Sequence, residues 1–220
     1  MIAALATGIT VSACGSGQRQ DASEPSGNFQ MAASAHWATN QRLSQHTTLV
    51  ITATNTGTKP IPDVAVTISD STPTGGSPAP AFQRLVHMPG LANQARPVWI
   101  VDQSPDPSNQ PCPQNADPET YTGPRYSTCL GGPGGAVTAY ANTWALGELQ
   151  AGKSVSFNWH LTSVQAGTYL VNWRISAGLT GKAKAVTASG GAPHGQFTVT
   201  IATSPQQAYV NNGGQVITTP

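Results

Sequence analysis

Two stretches of the chain alternate between apolar and polar residues, the first strictly and the second with Leu170 as its one apolar exception. A period of two is typical of a β-strand that buries one face. The apolar positions are Val155, Phe157, Trp159 and Leu161 in the first stretch and Tyr169, Val171, Trp173 and Ile175 in the second. Because each strand carries large apolar side chains on one face, a second layer must cover them. The pattern therefore predicts two sheets packed face to face, or a closed barrel.

Shorter runs predict further strands. Residues 49–54 and 64–68 alternate in the same way, and residues 197–201 form a last alternating run. The connection between the first two runs contains Asn55, Gly57 and two prolines. Asparagine and glycine favour turns, and proline cannot donate to a sheet ladder, so this connection is predicted to lie outside the sheet.

Three segments have weaker patterns. Residues 29–45 indicate an edge strand around His36. Lys182 and Lys184 alternate along another short run, and outward lysines on an edge strand discourage pairing with a second chain. Residues 205–220 are polar and are predicted to form a loose tail. Val216 and Ile217, near its end, are the residues that could form a short strand there.

Two motifs resemble immunoglobulin-like proteins. The sequence Thr-Asn-Thr-Gly at residues 54–57, followed by a Pro-rich connection and Val-x-Val-x-Ile, resembles the start of the bacterial immunoglobulin-like "conserved repeat" domains of envelope and cell-surface proteins. Ala-Gly-Thr-Tyr at residues 166–169 resembles the tyrosine corner, in which the hydroxyl bonds back to the backbone. Val171 stands where antibody domains have a cysteine. The resemblance implies an all-β fold, an immunoglobulin-like antiparallel β-sandwich over residues 29–204 without that inter-sheet disulfide.

A long insertion interrupts the predicted sandwich at residues 71–143. It is far longer than an ordinary loop, and such segments are usually functional or structured on their own. Residues 82–88 and 98–101 are short apolar runs that indicate two additional strands, while the rest is rich in turn-forming residues. We expect an excursion at one end of the sandwich.

The insertion carries the predicted disulfide and the predicted binding loop. Cys112 and Cys129 lie in polar, Pro-rich surroundings, which favours a disulfide that pins the loop, although two free thiols are the alternative. Between and beside them are Tyr121, Arg125 and Tyr126, the residue types that rigid scaffolds display in binding loops. The alternative is a decoration of the fold that has no partner.

The N-terminus resembles the signal peptide of a bacterial lipoprotein. An apolar run over residues 2–11 is too short to span a bilayer but suits a signal-peptide core. Val-Ser-Ala-Cys at residues 11–14 resembles a lipobox, although no lysine or arginine precedes the run. The resemblance implies a signal peptide at residues 1–13, lipidation of Cys14, and a flexible tether at residues 14–28. An unexported apolar tail is the alternative.

Composition excludes one class of partner and offers no catalytic motif. Only 9% of residues are charged and the net charge is +1, without any basic cluster, so we expect no nucleic-acid binding. No nucleophile elbow, zinc-protease motif, phosphate-binding loop or Cys-x-x-Cys is present. The sequence therefore predicts neither enzymatic activity nor a cofactor.

One pair of residues suggests a metal. His87 and Met88 are adjacent, and imidazole and thioether ligands both suit copper. The other histidines are scattered and are predicted to be solvated surface residues.

Together these features predict a non-enzymatic cell-envelope lipoprotein that acts as a structural or protein-binding module. It would be held to the extracytoplasmic face of the cell membrane through Cys14, with an unknown envelope protein as partner. The alternative is extracytoplasmic copper handling or a redox accessory role that uses His87, Met88, Cys112 and Cys129.

Overall fold

The protein is a sandwich of two β-sheets. The computed structural model describes residues 24–69, 72–73, 81–84, 97–105, 142–205 and 207–218, and these contain strands but no helix. The strands are β1 (Gly27–His36), β2 (Asn40–Leu43), β3 (His46–Asn55), β4 (Ala65–Ile68), β5 (Thr72–Pro73), β6 (Phe82–Arg84), β7 (Trp99–Gln103), β8 (Thr143–Ala145), β9 (Ser154–Ser163), β10 (Gly167–Ser176), β11 (Ala183–Val186), β12 (His194–Pro205), β13 (Ala208–Val210) and β14 (Val216–Thr218).

The strand order is that of an immunoglobulin-like sandwich. The first sheet has the order β11-β1-β3-β9-β7-β6, and the second has the order β2-β12-β10-β4-β8 with β5 also paired to β10. The strands β1, β3, β9 and β7 correspond to A, B, E and D of the immunoglobulin fold, while β4, β10 and β12 correspond to C, F and G. The all-β, two-sheet prediction is confirmed.

The two most regular predicted strands lie in different sheets. β9 belongs to the first sheet and β10 to the second, and the short connection at residues 164–166 crosses between them. Phe157, Trp159 and Leu161 are fully buried on one side, and Tyr169 and Val171 face them from the other side. The alternation therefore marked the two inner faces of the sandwich.

The sheets are mixed rather than wholly antiparallel, which corrects the predicted antiparallel sandwich. The pairs β1–β11, β2–β12 and β6–β7 are parallel. The pair β2–β12 arises because the first segment of the chain divides between the sheets: β1 pairs with β3, and after the buried Trp37 the chain crosses to run beside β12.

The first strand is longer than its weak sequence pattern indicated. β1 begins at Gly27, so the last two residues of the predicted tether lie in the sheet. Its first four residues pair with β11 and its last six with β3, which leaves the part around His36 with one neighbouring strand. Its pattern is weak because Met31 is its only fully buried residue.

The two short strands predicted within the insertion, at residues 82–88 and 98–101, are present as β6 and β7, both in the first sheet; residues 85–88 of the first prediction lie outside the described residues. The lysine-bearing run at β11 forms one edge of that sheet, as expected. In the predicted tail, β13 and β14 form a separate hairpin on which Tyr209, Val210 and Val216 are exposed. The described chain contains no helix long and apolar enough to cross a bilayer.

The core between the sheets is strongly aromatic. Trp99 and Trp159 are fully buried, and the ring centroids of Trp37 and Trp99 are 4.7 Å apart. The Trp99 indole donates a 2.8 Å hydrogen bond to Oε1 of Gln41, whose side chain is itself buried. Burying such rings contributes about 2–3 kcal/mol each, so the sandwich is stabilised without an inter-sheet disulfide at Val171.

The two ends of the sandwich carry different parts of the chain. At one end of the sandwich β1 and β9 start and β3 and β10 end, and we call this the proximal end. The opposite end is the distal end. A ten-residue strand spans roughly 33 Å between them. The chain enters the sandwich at the proximal end, and β12 leaves it at the distal end.

Candidate functional site at the proximal end

Glu24 fastens the incoming chain to the sandwich. Its carboxylate Oε2 accepts hydrogen bonds of 2.7 Å from the backbone N–H groups of Leu179 and Thr180, and Oε1 accepts one of 2.9 Å from Ala183. Leu179 and Thr180 lie in the loop between β10 and β11, and Ala183 is the first residue of β11, all more than 150 residues away in sequence. We call this contact the Glu24 clasp.

The clasp sets both a pKa and a requirement for glycine. Partial burial of Glu24 alone would raise the pKa of its carboxyl, but the hydrogen bonds from Ala183, Thr180 and Leu179 outweigh burial and lower the pKa below its ordinary value. A Cβ atom on Gly178 would collide with the Glu24 carboxylate. The loop therefore follows the carboxylate closely because residue 178 has no side chain.

Asn55 organises the neighbouring loops of the same end. It is 1% exposed, and its Nδ2 donates 2.9 Å hydrogen bonds to the carbonyl oxygens of Lys59 and Leu149. Its Oδ1 accepts a 3.0 Å bond from the backbone N–H of Gly57. The Asn residue predicted as a turn former thus also ties the β3–β4 connection to the segment before β9.

A groove of about 580 Å³ opens beside the clasp, between the outer face of the second sheet and β11 at the edge of the first sheet. One row of that face contributes Arg174, paired in register with Thr67, which in turn pairs with Thr143. The two threonine hydroxyls are 3.0 Å apart. Lys184 and aliphatic residues such as Leu179 and Val186 complete the walls. The groove therefore presents two cations and hydroxyl groups within a mainly aliphatic surface.

A second polar cluster lies on the outer face of the first sheet, toward the distal end. Oδ2 of Asp102 accepts a 2.7 Å hydrogen bond from the Thr162 hydroxyl and is 3.3 Å from Nδ1 of His46. Further along β9 and β3, Nδ1 of His160 is 3.3 Å from the Thr48 hydroxyl. His46 and His160 are exposed, as predicted. Within the described ranges no group of three or more His, Cys, Asp or Glu residues is arranged to hold a metal ion.

The residues that the sequence singled out for function lie outside the described residues. These are Cys14 for lipidation, Cys112 and Cys129 for the disulfide, Tyr121, Arg125 and Tyr126 for the binding loop, and His87 and Met88 for copper. All of these assignments stay predictions.

Sequence reasoning missed Glu24 and the pairing of Arg174 with Lys184 in one groove. Glu24 lies within the predicted tether, whose composition gave no reason to expect a tertiary contact. The only local sign of the contact was Gly178, just after a regular predicted strand. A glycine there does not by itself identify which carboxylate packs against it.

Comparison with known proteins gives no family. No protein-family model matches the chain, and no curated protein matches it. Among solved structures, Escherichia coli alpha-2-macroglobulin activated by porcine elastase is 12% identical over 81% of this chain, with a TM-score of 0.38. The match covers 10% of that protein, so the chain spans about a tenth of its length.

Two more solved structures are similar at the same level. A Salmonella alpha-2-macroglobulin mutant is 11% identical over 81% of this chain and 7% of its own, with a TM-score of 0.36. The ASH / PapD-like domain 7 of human CEP192 is 11% identical over 94% of this chain and 98% of that domain, with a TM-score of 0.34. The assignment as an immunoglobulin-like sandwich therefore rests on the strand order itself.

Proposed function

We propose that the protein is a non-enzymatic cell-envelope lipoprotein whose sandwich acts as a structural or protein-binding module on the extracytoplasmic face of the membrane. The observation that supports this proposal best is the Glu24 clasp. Nine residues separate the predicted lipidation site, Cys14, from Glu24, and only two more separate Glu24 from the first residue of β1. A tether that starts at Cys14 would thus be fixed to the sandwich by Glu24, close to the point where the chain enters β1.

The direction of β1 suits a tethered domain. A pull on the N-terminus acts along β1, so that it loads the hydrogen bonds to β11 and β3 together rather than one after another. The carboxylate of Glu24 adds bonds to the β10–β11 loop of the same end. Because the chain enters at the proximal end, the distal end and the outer faces of both sheets would stay accessible to a partner.

The experiment that tests this proposal is the intact mass of the protein extracted with detergent from membranes of its native host. We expect a chain that begins at Cys14, carries added acyl mass, and gains two hydrogens on reduction as the Cys112–Cys129 disulfide opens. A Cys14→Ser variant serves as the control and should lose the acyl mass. An unmodified chain that still carries Met1 would overturn both the localisation and the anchor.

The copper or redox alternative stays a prediction with its own measurement. Titration of the purified protein with Cu(I) should show no stoichiometric, tight binding if the structural or protein-binding role is right. Tight binding that is lost in the His87→Ala, Met88→Ala double variant would instead favour the alternative.

A further inference from the structure

Positive charge is concentrated at the proximal end. Five exposed cationic side chains lie there: Lys59 in the β3–β4 connection, Lys153 just before β9, Arg174 near the end of β10, Lys182 just before β11, and Lys184 in β11. The backbones of Lys59 and Lys153 both bond to Asn55, and the Lys182 carbonyl accepts a bond from Gly27. The cationic loops are thus fixed around the point where the chain enters.

Within the described residues these five cations have no counterion. In the described chain none of their side chains makes a salt bridge or a hydrogen bond. In the described chain three acids lie at the same end: the Glu24 carboxylate accepts bonds from backbone N–H groups, Asp63 from the backbone N–H of Gly147, and Glu148 from the amide of Gln150. Five cations against three carboxylates leave the described part of this end with a net charge of +2. The charge of this end is therefore available to an external anion.

The proposed anchor would hold this basic surface close to the membrane. Nine residues lie between Cys14 and Glu24, and this segment spans at most about 35 Å between the two Cα atoms when fully extended, and less on average. A bilayer surface that contains anionic lipids attracts basic groups that lie within about a Debye length, roughly 10 Å at 0.1 M salt. Distance and charge are thus both suited to contact with lipid head groups.

The groove supplies a concave contact within this surface. Arg174 and Lys184 both line it, next to the hydroxyl groups of Thr67 and Thr143. A guanidinium beside hydroxyl donors is suited to a phosphate group, because its planar fork donates two parallel hydrogen bonds to oxyanions. Among the described residues that line it there is no aromatic side chain on which a sugar ring would stack, and the aliphatic ones tolerate the glycerol part of a lipid.

We propose that the proximal end is a membrane-docking surface that binds anionic phospholipid head groups, with one head-group phosphate held in the groove between Arg174 and Lys184. This inference rests on the proposed lipid anchor for its biological setting. Docking would orient the sandwich with its distal end away from the bilayer, so that the anchor and the basic surface together set which faces of the domain a partner meets.

The test uses the mature chain from residue 14 with serine in place of Cys14, which retains every described strand and carries no lipid. Cosedimentation is measured with vesicles of phosphatidylcholine alone and with vesicles that also contain phosphatidylglycerol, at about 0.1 M salt. We expect binding to the anionic vesicles only. Equal binding to both kinds of vesicle, or binding to neither, overturns the proposal.

Charge variants locate the surface. Replacing Lys59, Lys153, Lys182 and Lys184 together by glutamine should weaken binding at least about tenfold, and replacing them by arginine should preserve it. Arg174→Gln alone should weaken binding severalfold, whereas Arg42→Gln, in β2 at the distal end, should leave it unchanged. Unchanged binding of the four-glutamine variant, or equal losses in the Arg174 and Arg42 variants, contradicts the assignment.

Two further readouts keep the outcomes distinct. Glycerol 3-phosphate should compete only weakly for the vesicle-bound protein, and a soluble phosphate that binds as tightly as the vesicles would replace the lipid surface with a small-molecule site. Because the protein in these assays has no acyl chain, an absence of vesicle binding would not bear on whether native Cys14 carries acyl mass. Conversely, vesicle binding can succeed even if the native protein proves unmodified.

Discussion

The hydroxyl of Tyr169 donates a 3.0 Å hydrogen bond to the carbonyl oxygen of Ala166, three residues earlier. This bond closes the corner at which the chain passes from the first sheet to the second, and the Tyr169 ring is 4% exposed. We expect Tyr169→Phe to lower the free energy of unfolding by about 1 kcal/mol, because it removes the bond while the ring still fills its site. Urea unfolding followed by tryptophan fluorescence measures the change.

Tyr209→Phe is the matched control, because Tyr209 is 56% exposed on the C-terminal hairpin. It should leave the free energy of unfolding unchanged. Burial also raises the pKa of Tyr169. The contribution of Tyr169 to the free energy of unfolding is therefore complete below the ordinary pKa of about 10 and is lost as pH rises toward the higher folded pKa. If Tyr169→Phe loses the same stability over this pH range, the loss does not come from Tyr169.

The corner illustrates what the sequence makes predictable. β9, β10 and β3 alternate large apolar residues with polar ones, and their burial requires nothing beyond two facing sheets. The tyrosine corner is equally local, since donor and acceptor are three residues apart. The fold class followed from these elements because each is determined by its own residues.

Two fully buried tryptophans differ in one hydrogen bond. Trp99 donates to Gln41, whereas no residue of the described chain accepts a bond from Nε1 of Trp159. We expect Trp99→Phe to destabilise the protein by about 1–2 kcal/mol more than Trp159→Phe, because only the first leaves the buried Oε1 of Gln41 without a donor. Denaturant unfolding of both variants tests this. A larger loss for Trp159→Phe would show that packing, not hydrogen bonding, dominates the difference.

Asn55 should be the most sensitive polar residue of the proximal end. Asn55→Ala leaves the carbonyl oxygens of Lys59 and Leu149 and the N–H of Gly57 without their partner, and the site is closed to water. We expect the free energy of unfolding to fall by about 2–4 kcal/mol. Asn172→Ala is the control, because Asn172 is exposed on β10. Equal effects of the two substitutions in thermal unfolding would contradict the assigned role.

The parts that sequence reasoning missed depend on distant segments. β1 has one fully buried residue, so its ten-residue length is fixed by pairing with β3 and β11 rather than by its own pattern. Glu24 meets Ala183 across 159 residues, and the groove brings together Arg174 of the second sheet and Lys184 of β11 at the edge of the first sheet. No local pattern encodes such contacts.

The Glu24 clasp should weaken in acid. The pKa of Glu24 is lowered in the folded protein, so its contribution is present above the ordinary value of about 4.5 and is lost as pH falls through the lower folded pKa. Amide hydrogen exchange should show protection at Leu179, Thr180 and Ala183 that declines over this range. In Glu24→Gln the protection should be about tenfold lower at neutral pH and insensitive to acid, because an amide group cannot accept all three bonds.

The control for the clasp is Glu148→Gln, which alters an exposed carboxylate of the same end whose one partner among the described residues is the Gln150 amide. It should leave exchange in the β10–β11 loop unchanged. Gly178→Ala should reproduce the effect of Glu24→Gln at neutral pH, because the new methyl group occupies the position of the carboxylate. Exchange rates at Ala183 that are the same in the wild type, Glu24→Gln and Gly178→Ala would mean that the loop is held by β11 alone, and that the incoming chain is joined to the sandwich only from Gly27 onward.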